Sequence, residues 1–429
     1  MMKKLGIYLL LLALLLGLTG CKGQSVLTVL DAQGAVVENP AYVQQVTQEL
    51  ENILMQCLQV SRERAAQAIK TQSFTVYTAY DPQVYKALED ACKAVLSDVE
   101  AGCAATDLKG NLLAVYSSGT ENNVLQRRSP YGTLTPLSVY TPAFERGDIR
   151  WNTQFEDSGY MLIDDGNGSV RSWPSPSGED YTYDDFFAHQ ALSKPINTVT
   201  VRCLAKVGTE NAISFLENRF GMDLTTERED VQSGGQDAAL SDLVFGYLAV
   251  GVTPVDMAGY YQIFANGGQY EAPKAVQRLC DAEGNELYSR ITTQTQVISA
   301  GTADLMNKLL EGVVANGGTG SAASVKGVQV AGKTGSGSNS NWFVGVTPGY
   351  SIALWHDGTG GNLAPQAFAQ AAQTLYMDVE KIYCSFITHA PMHKLMICSE
   401  SGMAVSENCS RIELGYFAEK DIPQVCDQH

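Results

Sequence analysis

The sequence is short of positive charge. Against 46 Asp and Glu stand only 29 Lys and Arg, a formal net charge of −17. A nucleic acid or an anionic lipid surface needs a concentrated basic face to bind, and no basic run occurs beyond the N-terminus. Internal repeats and long low-complexity runs are also missing. No two cysteines stand at C-x-x-C spacing, which speaks against thioredoxin-like and zinc-ribbon readings. The long apolar run, Leu5–Leu18, falls short of the ~20 residues of a membrane span. The stretch "DDGNGSV" (Asp164–Val170) looks like a calcium loop. Counted from Asp165, however, the required Gly is Val170 and the required Glu is Pro176, so an EF-hand is excluded.

What is present is ordinary globular material, 45% hydrophobic and 17% charged over 429 residues, a length that allows two or three domains. Lys3 and Lys4, the apolar run and then Leu18-Thr19-Gly20-Cys21 read as an export signal. The last four residues resemble the lipobox of bacterial lipoproteins. That resemblance implies removal of residues 1–20, a lipid on Cys21 and a mature protein anchored at the extracytoplasmic face of a cell membrane. With Cys21 acylated, nine of the ten cysteines remain, an odd number that cannot all pair internally. Cys398, Cys409, Cys426 and His429 offer four metal ligands, but their spacing fits no metal module; a tail disulfide or free thiols is the expectation, with no metal.

Residues 21–72 read as a helical linker region. In it, "YVQQVTQELENILMQCLQV" places Val43, Val46, Leu50, Ile53, Leu54 and Leu58 on one helix face. A strand "SFTVYTAY" follows, then Asp81-Pro82, an N-cap and N1 proline that open a helix. "AATDLKGNLLAVYSSG" reads as a β-hairpin, and residues 145–190, rich in Gly, Asp, Ser and Pro, as irregular connection. Helical patterns occupy 185–220 and 253–268. "VKGVQVAGKTGS", "NWFVGV" and "YSIALW" with a Thr347-Pro348-Gly349 turn form an antiparallel hairpin. Strands at both ends with helices between them predict an α+β domain, an antiparallel sheet flanked by helices plus an all-helical subdomain, closed by distant parts of the chain.

Seven segments then occur in one order: "FTVYTAYDPQVYKALEDA", the hairpin, "PLSVYTPAFERGDI" with "FEDS", "NTVTVRCLAKVGTENAISF", "GVTPVDMAGYYQIFANGG", "AGKTGS" and "WFVGVTP". Together they closely resemble the transpeptidase domain of class A penicillin-binding proteins, over residues 73–385, followed by a Cys-containing tail at 386–429. The glycosyltransferase domain that usually precedes this module has no room between Cys21 and Ser73. The resemblance implies a β-lactamase/transpeptidase-like fold and acyl transfer through a serine ester, without a cofactor. It also implies a Ser-x-x-Lys at a helix start, a Ser-x-Asn on a neighbouring loop, and a Lys-Thr-Gly on an edge strand whose Lys and Thr hold a substrate carboxylate.

Carried onto this sequence, the pattern fails where the chemistry lies. The register set by Pro136–Phe144, itself read as an amphipathic helix through Leu137, Val139, Tyr140 and Phe144, puts Gly132 at the nucleophile position and Thr135 at the lysine position. Pro195 stands where the second serine belongs, Asn197 is kept, and Lys333-Thr334-Gly335 is intact. No serine in the chain has a lysine three residues later; Thr106 and Lys109 have that spacing, but in a hairpin turn. Thr133 is rotated ~100° from the nucleophile position if the turn is helical. Loss of the nucleophile alone costs on the order of 10⁶ in rate. The expectation is therefore a catalytically inactive pseudoenzyme. It would bind peptidoglycan stem peptide, a β-lactam non-covalently, or a cell-wall synthesis protein through Asn197, Lys333, Thr334 and Gly335. The alternatives are a D,D-transpeptidase or carboxypeptidase with a displaced nucleophile, and a structural remnant without ligand.

Overall fold

In a computed structural model of the chain, residues 26–164, 168–359 and 362–428 are described. The expected signal segment with Cys21, Asp165 of the excluded calcium loop and His429 lie outside them. Strand β1 (Leu27–Leu30) precedes helices Pro40–Leu58 and Arg62–Thr71. Strand β2 (Phe74–Thr78), helix Pro82–Val95 and the hairpin of β3 (Ala101–Asp107) and β4 (Leu112–Ser117) come next. The Asp81 carboxylate accepts from the N–H groups of Gln83 and Val84, with Pro82 at the first helical position, so the local signal is realised as a cap.

The region 145–190 holds more order than its composition suggests. Strands β5 (Gln154–Glu156) and β8 (Asp185–Phe187) form one two-stranded ribbon, and β6 (Met161–Asp164) and β7 (Val170–Trp173) another. Short strands of two to four residues carry too little periodicity to be read from sequence. The helical half follows in Ala188–Ser193, Asn197–Val207, Thr209–Phe220, Thr225–Gln232, Gln236–Phe245 and Pro254–Tyr261. Strands β9 (Gln269–Tyr270), β10 (Val276–Cys280), β11 (Glu286–Ser289) and β12 (Thr295–Gln296) lead to helix Ala300–Val314. The chain then makes β13 (Ala331–Gly337), β14 (Ser340–Val346), β15 (Tyr350–Asp357) and helix Leu363–Leu375, and ends in the ribbon β16 (His393–Cys398)–β17 (Ile412–Phe417).

The central sheet runs β13-β14-β15-β3-β4, antiparallel throughout. Sheet closure thus joins two segments more than two hundred positions apart, Leu354 lying opposite Cys103. Its strands are apolar on both faces because both are covered. Along β14 and β15, Trp342, Val344, Ala353 and Trp355 point into the core shared with the helical half, while Phe343, Ile352 and Leu354 point into a second core with helices Pro82–Val95 and Leu363–Leu375. The period of two inside a continuous apolar run is what a sandwiched sheet requires. Strand β13 stands at the sheet edge, so one side of its backbone is open to another strand.

Residues 26–72 are not a linker in the packing sense. β1 pairs in parallel with β2, and Tyr42, Val46, Leu50 and Leu54 of helix Pro40–Leu58 are fully buried in the main core. The Tyr42 hydroxyl donates to Leu112 O at 2.8 Å, and the buried Glu49 carboxylate accepts from the Ala275 and Val276 N–H groups at 2.8 and 3.3 Å. A parallel partner strand and two cross-chain acceptors are long-range features that a local pattern does not encode. Among the described residues no helix is long and apolar enough to cross a membrane. Leu50→Ala should therefore lower the free energy of unfolding by about 2–5 kcal/mol in denaturant titration; a linker residue would cost close to nothing.

Candidate functional site

Gly132, Thr135, Pro195, Asn197, Lys333, Thr334 and Gly335 all line one cleft of about 650 Å³. The structure therefore gathers every position singled out from the three sequence motifs, although they span two hundred residues of chain. The cleft lies between the edge strand β13, the turn before Pro136 and the N-terminal end of helix Asn197–Val207.

The turn Tyr131–Thr133 is a single 3-10 turn. The Tyr261 hydroxyl donates to Thr133 O at 2.5 Å, the Trp342 indole N–H to Ser129 O at 3.1 Å, and Tyr131 N–H to Gly246 O at 3.1 Å. Behind it, Pro136–Tyr140 is one π-helical turn that passes into the α-helix Thr141–Arg146. Pro142 lacks the N–H that a regular α-ladder would need there, and the wider turn absorbs the mismatch. This helix is not amphipathic: every residue from Pro136 to Phe144 is buried. Its polar face is satisfied internally, with Ser138 Oγ donating to Leu243 O at 2.7 Å and Thr141 Oγ1 to Pro136 O at 2.7 Å.

At Gly132, where the family pattern leads one to expect the nucleophile, the turn lies directly on strand β13. A Cβ on Gly335 would stand 2.6 Å from Pro130 O and 2.8 Å from Thr133 N, so only glycine fits. A Cβ on Gly132 would stand 3.0 Å from Thr334 O and 3.6 Å from Lys333 Nζ. The Thr135 hydroxyl, where a basic amine belongs in the family pattern, donates to Val244 O at 3.1 Å. Thr133 is fully buried and donates to Pro130 O at 2.6 Å. Tyr131 does not fill the cleft: its ring covers Gly337 and meets Tyr247 edge-on at 5.6 Å.

The cation is the unusual group. Lys333 is only 5% exposed, its Nζ donates to Thr334 O at 3.0 Å, and no carboxylate among the described residues pairs with it. Burial pushes its ammonium down to about 8. An unpaired charge held in such a place is costly, and an anionic ligand would relieve that cost. Beside it, Thr334 Oγ1 bonds Thr319 Oγ1 at 3.0 Å. Asn197 is fixed through its backbone, whose N–H donates to Ser177 Oγ at 2.9 Å, while no described residue hydrogen-bonds its carboxamide. The next turn is held by Asp157, which accepts from Thr198 Oγ1 at 2.6 Å.

Sequence reasoning missed Thr319 and the apolar wall of Phe245 and Tyr247, which also line the cleft. Both come from loops or helix ends without a motif, and only the fold brings them to β13. The burial of Lys333 has a measurable consequence. Lys333→Met should raise stability at pH 7 by on the order of 1–3 kcal/mol. The folded-state amine titrates below its unfolded value, so wild-type stability rises between about pH 8 and pH 10.5. The advantage of the variant should therefore shrink over that window, as urea unfolding at several pH values would read.

With the geometry in place, comparison with known proteins becomes specific. The penicillin-binding protein transpeptidase domain family matches residues 104–376. Penicillin-binding protein 1A of Clostridium botulinum (strain Langeland) is 29% identical over 324 residues, covering 73% of this chain and 37% of that protein. Penicillin-binding protein 1A of Clostridium acetobutylicum is 31% identical over 244 residues, 56% of this chain and 29% of its own length. The chain thus spans about a third of the length of these curated relatives. Among solved structures, PonA1 of Mycobacterium tuberculosis aligns with TM-score 0.64 at 19% identity, covering 84% of this chain and 95% of that one. The D,D-transpeptidase domain from Eggerthella lenta aligns with TM-score 0.63 at 20% identity, covering 82% and 98%. The family match spans more than half of the chain and takes in β15, part of β3 and the edge strand carrying Lys333-Thr334-Gly335, and the chain belongs to the penicillin-binding protein transpeptidase family.

Proposed function

We propose that this protein is a non-catalytic member of its family that binds a carboxylate-ended peptide of the peptidoglycan stem type, or a β-lactam non-covalently, at the cell envelope. The observation that carries the reading is Lys333: a desolvated ammonium without a described carboxylate partner, set beside an edge strand in a cleft where no hydroxyl among the described residues is hydrogen-bonded to an amine. The ligand's terminal carboxylate would take the place next to Lys333 Nζ and the Thr334–Thr319 hydroxyls. Its backbone would add to β13 by strand augmentation, and the Asn197 carboxamide is placed to bond a peptide group. Turnover has no starting point, because Gly132 offers no side chain and Thr135 is a neutral hydroxyl engaged with Val244 O. The lipobox-like Cys21 places the cleft outside the cytoplasmic membrane in this reading, within reach of cell-wall precursors and of cell-wall synthesis proteins.

Incubation with a fluorescent penicillin followed by denaturing electrophoresis should leave no labelled band, and intact-mass measurement no acyl adduct. A stoichiometric adduct would instead establish the displaced-nucleophile alternative. Isothermal titration with a D-Ala-D-Ala peptide should show saturable binding to the wild type, weakened at least about tenfold in Lys333→Ala. No binding to either would leave the remnant reading. Because the anion needs the protonated amine, the affinity should be level below pH 7 and fall as pH rises through about 8, by up to tenfold per pH unit. A flat profile from pH 6 to 9.5 would remove Lys333 from the binding account.

A further inference from the structure

The C-terminal ribbon brings together three thiols that the cleft does not use. Cys398 ends β16, Cys409 lies in the connection to β17, and Cys426 follows β17. Their sulfur atoms all lie within 4.8 Å of one another, and none is in a disulfide. Cys398 and Cys426 are buried and Cys409 is half-buried. Spacing in the sequence fits no metal module; the convergence is produced by folding.

We infer that these three cysteines form a structural site for a soft divalent cation of the zinc type. Three points favour a metal over a disulfide. A disulfide joins two sulfurs and leaves the third stranded, whereas a tetrahedral zinc ion takes all three at ~2.3 Å, with sulfurs ~3.8 Å apart. The sulfurs are within about an ångström of that spacing already.

Backbone hydrogen bonds hold each ligand without the metal. Cys398 N–H donates to Met403 O at 2.8 Å and Gly402 N–H to Cys398 O at 2.9 Å, so a tight turn follows the first cysteine. Cys409 N–H donates to Ser406 O at 3.3 Å, and Cys426 N–H to Ala404 O at 2.8 Å.

Polar donors also point at the sulfurs. The Ser401 hydroxyl lies 3.2 Å from Cys426 Sγ, and Ser406 N–H 3.4 Å from Cys409 Sγ. Such donors stabilise thiolate charge and orient ligands in metal sites. Binding would replace three S–H bonds with three S–metal bonds and release three protons to solvent, so no oxidant is needed. The fourth position falls to water or to another side chain.

The site would staple the tail to the wall of the cleft. Asn152 Nδ2 donates to Gly402 O at 2.8 Å, Gln154 Nε2 to Glu400 O at 2.9 Å, and Arg150 pairs with Asp421 at 2.6 Å. Trp151 meets Tyr416 ring to ring at 4.9 Å. These residues lead directly into β5, β8 and the helix Ala188–Ser193 that precedes Pro195 and Asn197. A two-stranded ribbon is marginal by itself, and a metal would supply what its small core lacks.

The test uses the full chain, purified without added metal and passed over a chelating resin. Elemental analysis should find about one zinc per chain. Cys409→Ser, the least buried of the three, should lose most of it, and Cys280→Ser should keep it. On the wild type, alkylation followed by peptide mass mapping should spare the three tail cysteines until a strong chelator is added, and label all three afterwards. This second measurement does not depend on the folding of a variant. Metal-free protein with any two of the three in a disulfide would overturn the inference, as would a zinc content unchanged in Cys409→Ser or tail thiols labelled equally with and without chelator.

Discussion

The turn Pro130–Thr133 rests on strand β13 at backbone distance, and the rest of the cleft depends on that contact. It is possible only because position 335 has no side chain, since a Cβ there would overlap both Pro130 O and Thr133 N. The turn is pressed into place from behind by the Tyr261 hydroxyl and the Trp342 indole, groups from the helical half and the sheet. Those two halves are therefore clamped around one short segment. The clamp thereby fixes the backbone that carries Gly132.

Beside Gly132 and the neutral Thr135, the neighbouring cation is the group that sets the character of the cleft. Here Lys333 has Thr334 O as its described acceptor and no ion pair among the described residues. The low-dielectric surroundings that push its ammonium down to about 8 also make any carboxylate that reaches it bind strongly. The protein carries a local instability at this point, which an anion reaching Lys333 would offset. The hydroxyl pair Thr334–Thr319 and the wall of Phe245 and Tyr247 shape the cleft beside that charge.

The far side of the cleft has a different origin of order. Helix Asn197–Val207 is set by Asp157, whose carboxylate, despite burial that favours its neutral form, is held low by hydrogen bonds from Thr198 and Thr182. The short ribbons around it bury few apolar side chains and lean on the C-terminal ribbon through Arg150, Trp151, Asn152 and Gln154. A cation among Cys398, Cys409 and Cys426 would thus act on the position of Asn197 from a distance, through packing and hydrogen bonds. Both walls of the cleft are then fixed from outside it, one by the aromatic clamp and one by the tail.

Much of this was legible in the residues. The alternation and turn chemistry of "AATDLKGNLLAVYSSG" and "YSIALW" determine hairpins, because strand periodicity and Gly or Pro turns are local properties. The collinear motifs point to the family, and in the register they suggest, Gly132, Thr135 and Pro195 stand where a nucleophile and bases are expected. Sequence could not decide the environment of what remained. Burial of Lys333, the Thr319 hydroxyl beside Thr334, and the all-round burial of Pro136–Phe144 each depend on partners more than a dozen residues away. The same holds for β1, whose parallel pairing with β2 pulls a stretch expected as linker into the core, and for three tail cysteines with no motif spacing. The sequence by itself determined which chemical groups this protein has and which it lacks. Only the tertiary structure decided which of them stand together out of water, since desolvation and convergence are set by packing between distant segments.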